Sequence, residues 1–145
     1  MLDQVLVGAV TSVCNVTIHA LVMLIVIRVA NAVANKSVRS PSLLLATTMI
    51  ATVLVLIAAH TLEVLVWAIA YSFVDIAPAG SSLVYFAFVN YTTLGYGDVI
   101  PAAKWQLLGP LAAMNGVLMF GWSTAVIFEV LREILARILP MRSPT

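Results

Sequence analysis

Three stretches of this chain, residues 5–27, 43–71 and 106–127, hold one formal charge between them, the carboxyl of Glu63. Each is long enough to cross a hydrocarbon layer roughly 30 Å thick, which takes about 20 apolar residues in a helix. In lipid, backbone N–H and C=O groups must find partners within their own segment, so such stretches fold as helices. Irregular backbone survives at that depth only where protein buries it or water lines it. This constraint sets the fold class: an all-α integral membrane protein with three transmembrane helices. Composition agrees, with 9% charged residues against about a quarter in a soluble domain. The partner implied is the lipid bilayer. A net charge of +1, with no basic run interleaved with aromatics, points away from nucleic acid. The single cysteine, Cys14, lies inside the first stretch and cannot close an intrachain disulfide. The opening "MLDQ" lacks the positive flank of a cleaved signal and the apolar stretch after it is too long for one, so it reads as an uncleaved helix.

The breaks between the stretches give the organisation. Helix one covers residues 2–34, and the polar run "NKSVRSPS" follows it. Ser40 is placed to cap the next helix, and Pro41 falls at its first turn, where a missing N–H costs nothing. This outer helix, residues 42–73, is longer than the hydrocarbon and should tilt or protrude. "DIAPAGSS" is a turn whose serines suit an N-cap. A short helix over 82–92 follows, and at roughly 1.5 Å per residue it cannot cross the bilayer. "LGYGD" cannot extend it, so the chain must turn back as a re-entrant loop. The inner helix covers 104–138, with Pro110 bending its first turns, and residues 139–145 form a short cytoplasmic tail. Arg28, Lys36 and Arg39 lie around the first connection and Arg132, Arg137 and Arg142 near the C-terminus, while Lys104 lies on the opposite side. The positive-inside rule then places the first connection and the C-terminus in the cytoplasm, and the N-terminus and the loop outside a plasma membrane.

The loop itself reads "TTLGYGD", Thr92 to Asp98. It resembles the selectivity filter of potassium channels, with Leu94 where the family's usual form has Val. The resemblance covers about residues 42–135, from outer helix to pore helix, filter and inner helix. The chain therefore resembles a potassium-channel pore domain, residues 40–138, carrying an extra N-terminal transmembrane helix, residues 1–34. The residues have a physical reading of their own. A dehydrated K⁺ needs oxygen ligands, and backbone carbonyls supply them without the grip of a full negative charge. Aligning adjacent carbonyls takes backbone conformations that glycine visits cheaply, and Gly95 and Gly97 supply that freedom.

The resemblance implies further roles. The carbonyls of Thr93, Leu94, Gly95 and Tyr96, with the Thr93 hydroxyl, would form stacked K⁺ sites in a filter over 93–97. Tyr96 would point away from the pore and hold its width, Thr92 would support the filter from below, and Asp98 would anchor its outer end. One loop per chain implies a homotetramer with three identical chains. K⁺ is the permeating ion, no organic cofactor is implied, and the chain is not an enzyme. Ile100 falls where an aromatic favours external tetraethylammonium block, so weak block is expected.

On the inner helix, Gly116 falls where the family keeps a hinge glycine, and Gly121 is a second weak point. Both also suit close helix packing, and the two readings stand side by side. Phe120, Thr124 and Phe128, four apart, share one face directed to the pore. Phe128 is placed to form a hydrophobic constriction or, equally, to pack against lipid. Glu133 and Arg137 are spaced as an i,i+4 pair. Glu63, an acid inside a span, marks a functional hypothesis. Counting from Pro41 puts it ~33 Å along its helix, level with the filter. His60 and Trp67 share its face, and Glu63 with Trp67 is expected to support the back of the pore helix and filter. This would compensate for Tyr85 and Phe86, which stand where many family members carry paired tryptophans, and for Val89, where some carry a glutamate. The alternative is that Glu63 reaches external water. Thr11, Asn15 and His19 make a polar stripe facing another helix. Metal binding by His19 and His60 is not expected, because they read as lying at different depths. Trp105 reads as an interfacial anchor and Trp122 as a packing residue.

The expected function is a potassium-selective channel passing ions passively. Helix one has one terminal Arg rather than a ladder of them, so no voltage sensor is seen. A pore subunit needing a separate sensor chain, or a less selective monovalent cation channel, are the alternatives. A four-loop uptake transporter, whose loops usually retain one glycine each, is disfavoured by the complete "GYG".

Overall fold

The computed structural model describes residues 1–35 and 40–139. Lys36, Arg39 and Arg142, used above to orient the chain, lie outside them, as do residues 140–145 of the expected tail. The described residues form four α-helices: α1 (Leu2–Ala34), α2 (Pro41–Phe73), α3 (Leu83–Tyr91) and α4 (Leu108–Ile138), with a 3₁₀ turn at Ala103–Trp105 before α4. They contain no strand. Three of the helical segments are long and apolar enough to cross a membrane, and α3, at 9 residues, is not.

The caps are those that the sequence suggests. Ser40 holds an extended backbone, and its Oγ accepts from the Leu43 N–H at 3.2 Å, with Pro41 as the first helical residue. Ser82 caps α3 in the same way, accepting from the Tyr85 N–H at 3.3 Å. The inner helix differs from expectation. Its α-helical part begins at Leu108 rather than at 104, and Pro110 sits in the first turn. A helix starting at 104 would need an amide hydrogen on residue 110, which proline lacks, and its ring would meet the carbonyl four residues back. Starting at Leu108 puts Pro110 among the residues whose N–H has no intrahelical partner. The freed Leu107 N–H instead donates to the Gln4 side chain of α1 at 2.9 Å.

α1 runs antiparallel to α2 and parallel to α4. Its first half meets the end of α2 and the start of α4, while Met23, Val26 and Ala30 meet Leu56, Val130 and Ile134. The cluster at the loop end is built on Val64, Trp67, Tyr71, Phe86, Tyr91 and Leu108. Between the two apolar clusters lies a buried polar layer: Asn15, His19, Glu63, Asn115 and Ser123. The outward faces are large and apolar, among them Leu6, Val10, Leu24 and Leu54, which is what lipid contact requires.

At the far end, Arg137 does not pair with Glu133. It donates to the side chains of Asn31 and Asn35 on α1, at 3.2 and 3.3 Å. The i,i+4 spacing alone could not show that a second helix end lies alongside. The ion pair that does form is Arg132 with Glu129, at 2.5 Å.

Candidate functional site

α3 ends at Tyr91, and the loop that follows uses up its terminal carbonyls. The Thr93 N–H donates to Asn90 O at 3.0 Å, and the Leu94 and Gly95 N–H groups donate to Val89 O at 2.9 and 3.4 Å. The backbone then alternates in handedness. Thr93 (φ 61°), Gly95 (φ 58°) and Gly97 (φ 76°) take left-handed conformations, and Leu94 and Tyr96 between them do not. Glycine does this without steric cost, whereas a β-branched threonine is disfavoured there by roughly 1–2 kcal/mol. Sequence reasoning anticipates the two glycines and misses Thr93. The side chains of the loop are exposed in the single chain, Leu94 at 54% and Tyr96 at 67%, so Tyr96 is only lightly covered by its own protomer.

Asp98, at the loop's far end, accepts a hydrogen bond from the Tyr85 hydroxyl at 2.6 Å. That bond to a carboxylate raises the Tyr85 pKa, since losing the proton would set two negative charges together. In the sequence Tyr85 stands out only as a departure from paired tryptophans. The overlooked signal is that tyrosine, like tryptophan, carries a hydrogen-bond donor at its rim.

Behind the loop stands the polar layer. Glu63 is fully buried and does not reach water. Its Oε1 lies 2.7 Å from His19 Nδ1 and its Oε2 lies 3.0 Å from His60 Nδ1, while the Tyr91 hydroxyl donates to Oε2. The carboxylate thus joins α1 and α2 to the last residue of the pore helix. Ser123 of α4 closes the layer, with Oγ 2.9 Å from His60 Nε2 and 3.5 Å from His19 Nε2. His19 and His60 have ring centroids 5.5 Å apart, which overturns the reading that put them at different depths. Measured from the same side, His19 stands 15 residues before Ala34 and His60 stands 19 after Pro41. Four residues of rise is only about 6 Å, well within reach of two imidazoles.

Trp67 goes elsewhere. Its Nε1 donates to Asn115 Oδ1 at 3.1 Å, and the same oxygen accepts from Asn15 Nδ2 at 2.9 Å. Asn15 Nδ2 also lies 3.2 Å from the Glu63 carbonyl oxygen. Trp67 therefore fastens α2 to α4 and α1, with its ring in the cluster that backs α3, and makes no hydrogen bond to the loop. All three residues of the predicted stripe, Thr11, Asn15 and His19, are buried; Thr11 satisfies its hydroxyl within α1, donating to the Val7 carbonyl at 2.8 Å. Trp122 places its ring 5.0 Å from His19, and Trp105 lies beside Lys104, whose Nζ stands 5.1 Å from the ring.

On α4 the candidates separate. A Cβ on Gly116 would collide with the carbonyl oxygen of Tyr91, whereas one on Gly121 would meet nothing within 4 Å. α4 runs unbroken through both. The Phe120 ring packs 4.7 Å from His60 and 5.5 Å from Tyr91. Thr124 donates to the Phe120 carbonyl at 2.9 Å, and Phe128 is 64% exposed.

The family model described as "Ion channel" matches residues 59–133, just over half of the chain. The match runs from the second half of α2 through α3 and the loop to near the end of α4, and leaves α1 outside. No curated protein and no solved structure matches the chain significantly. With its membrane-length helices and a re-entrant loop behind a short helix, this multi-pass membrane protein belongs to the ion channel family.

Proposed function

We propose that this chain forms a potassium-selective channel, in which four identical copies surround an axis and pass K⁺ passively through a filter built from residues 93–97. The carbonyls of Thr93, Leu94, Gly95 and Tyr96 serve as ion ligands, replacing the hydration shell. The observation that carries this reading is the alternation of handedness at Thr93, Gly95 and Gly97. In a regular strand successive carbonyls point to opposite sides. Reversing the handedness at every second residue turns them to the same side, as stacked ligand rings require. α3 directs its C-terminal end, with its partial negative charge, toward the same region. In this arrangement the loop and the N-terminus face outside and the C-terminus faces the cytoplasm, in the plasma membrane. Of the two phenylalanines on the inner-helix face Phe128 is the more exposed, at 64% against 37% for Phe120, and it forms the hydrophobic constriction.

Purified protein in liposomes tests the reading. A K⁺ flux that collapses when Na⁺ replaces K⁺, weakly blocked by external tetraethylammonium because Ile100 is not aromatic, is the expected result. Equal fluxes for both ions would make it a less selective cation channel, and flux only with a second protein present would make it a subunit awaiting a sensor. A cross-linked species other than a tetramer would overturn the fourfold arrangement.

A further inference from the structure

We propose that His19, His60 and Glu63 form a binding site for a divalent transition-metal ion of the zinc class, which ties α1 to α2 behind the pore helix. One ligand atom from each residue lies within 4.8 Å of the other two. Both Nδ1 atoms converge on one carboxylate, at 2.7 and 3.0 Å, and the Ser123 hydroxyl lies near both Nε2 atoms. Two imidazoles and one carboxylate form a donor set suited to zinc, with distances of about 2.0–2.2 Å. Tetrahedral donors at that range stand roughly 3.3 Å apart, so the carboxylate–imidazole distances of 2.7 and 3.0 Å would open by a few tenths of an ångström, while the donor atoms now within 4.8 Å of one another would draw together around the ion.

Proton counting independently calls for a cation. The Ser123 hydroxyl has one hydrogen to offer, yet two imidazole Nε2 atoms face it. If both rings are neutral and donate from Nδ1 to Glu63, one Nε2 is left without a hydrogen and the layer carries a net negative charge. An unbalanced charge inside a span is costly. The charged or titratable groups facing the carboxylate are His19 from α1, His60 from α2 and Tyr91 from α3, while α4 contributes the neutral Ser123. One extra proton would balance the charge using a single imidazole. The second imidazole converging on the same carboxylate is what favours a metal ion. His60, 16% exposed at its side chain, gives the ion a way in, and Tyr91 bonded to the carboxylate is the kind of outer partner that fixes a ligand's orientation.

The site stands whether or not the loop selects potassium, and its test does not use flux. Detergent-purified protein is stripped with chelator and titrated with Co²⁺, read by its visible ligand-field band and by metal analysis. One ion per chain in a tetrahedral site is expected. His19→Ala, His60→Ala and Glu63→Gln should each abolish the band, and Tyr91→Phe should weaken binding about 10–100-fold, as loss of an outer partner does. X-ray absorption on the wild-type zinc form needs no variant, and should show two imidazoles and a carboxylate. No bound metal in the wild type, a shell lacking imidazole, or a band that survives all three substitutions would overturn the site and leave a proton as the compensating cation.

Discussion

Tyr85, in the first turn of the pore helix, holds Asp98 beyond the far end of the loop through a 2.6 Å hydrogen bond. The two residues bracket the segment proposed as the filter, so this contact ties the loop's outer end to the helix that carries it. Tyr85→Phe keeps the ring and removes the donor. K⁺ flux through the variant is expected to decline faster during sustained conduction than in the wild type, and selectivity for K⁺ over Na⁺ to fall. Equal time courses and equal selectivity would show that Asp98 is held by something else.

The same pair has a defined pH dependence. The Asp98 bond raises the Tyr85 pKa, so the neutral phenol is favoured in the folded state. Its contribution is complete below the ordinary tyrosine value of about 10, and is lost as pH rises through the higher folded value. Between neutral pH and about 10, flux should show no Tyr85-dependent change, so wild type and Tyr85→Phe should differ by a constant factor there. A gap that closes within that window would contradict the assignment.

Much of this arrangement is legible in the sequence, because membrane helices announce themselves by composition and their ends by residues such as Ser40, Pro41 and Ser82. The loop is legible because glycine marks the special backbone at positions 95 and 97. Thr93 is not, since nothing in a threonine signals a left-handed backbone. The polar layer is the least legible part. Asn15 meets Asn115 across 100 residues and His19 meets Glu63 across 44, and no local periodicity records such pairings. Chain position alone sets His19 and His60 at different depths, because it does not show how far each long helix extends past its neighbour. Glu133 and Arg137 mislead for a related reason, as an exposed arginine takes whichever acceptor a neighbouring helix brings to it.

Glu63 and Tyr91 make the link from this layer to the pore helix. Tyr91→Phe removes the hydroxyl that donates to the carboxylate. Hydrogen bonds to charged groups contribute about 1.5–3 kcal/mol, although values within membrane helices run nearer 1. A loss of about 1–2 kcal/mol in thermal or denaturant unfolding is therefore expected, together with altered K⁺ selectivity or inactivation. Glu63→Gln should change the same channel properties. If both variants leave selectivity and inactivation untouched, the carboxylate serves the bundle and not the filter.

Asn115 offers one oxygen to two donors, Asn15 Nδ2 and Trp67 Nε1. Asn115→Leu preserves approximate volume and strands both. Interhelical hydrogen bonds in membranes average about 0.6 kcal/mol, so loss of the pair should lower stability by roughly 1–2 kcal/mol once the unpartnered buried donors are included. Because Asn15 lies on α1, the variant should also loosen α1 from the pore unit, which raises the reactivity of engineered thiols at the α1–α4 contact. Unchanged unfolding and unchanged thiol reactivity would mean that apolar packing alone seats α1.

In sequence Gly116 and Gly121 suit a hinge and close packing equally, and the structure gives them opposite surroundings. A methyl on Gly116 would be driven into the Tyr91 carbonyl oxygen, a backbone atom that cannot swing aside, whereas at Gly121 it would meet open space. Overpacking of this kind costs about 1–3 kcal/mol. In a helix interior with room for the methyl, Gly→Ala gains roughly 0.5–1 kcal/mol. Gly116→Ala should thus lower the unfolding temperature and Gly121→Ala should raise it slightly, both measured on purified protein in detergent. A hinge at Gly121 would add a separate signature, because stiffening it would slow opening without destabilising the fold. Should Gly116→Ala prove as stable as wild type, α4 and the end of α3 must be able to separate, and the close approach of Tyr91 to α4 would belong to only one of the channel's states.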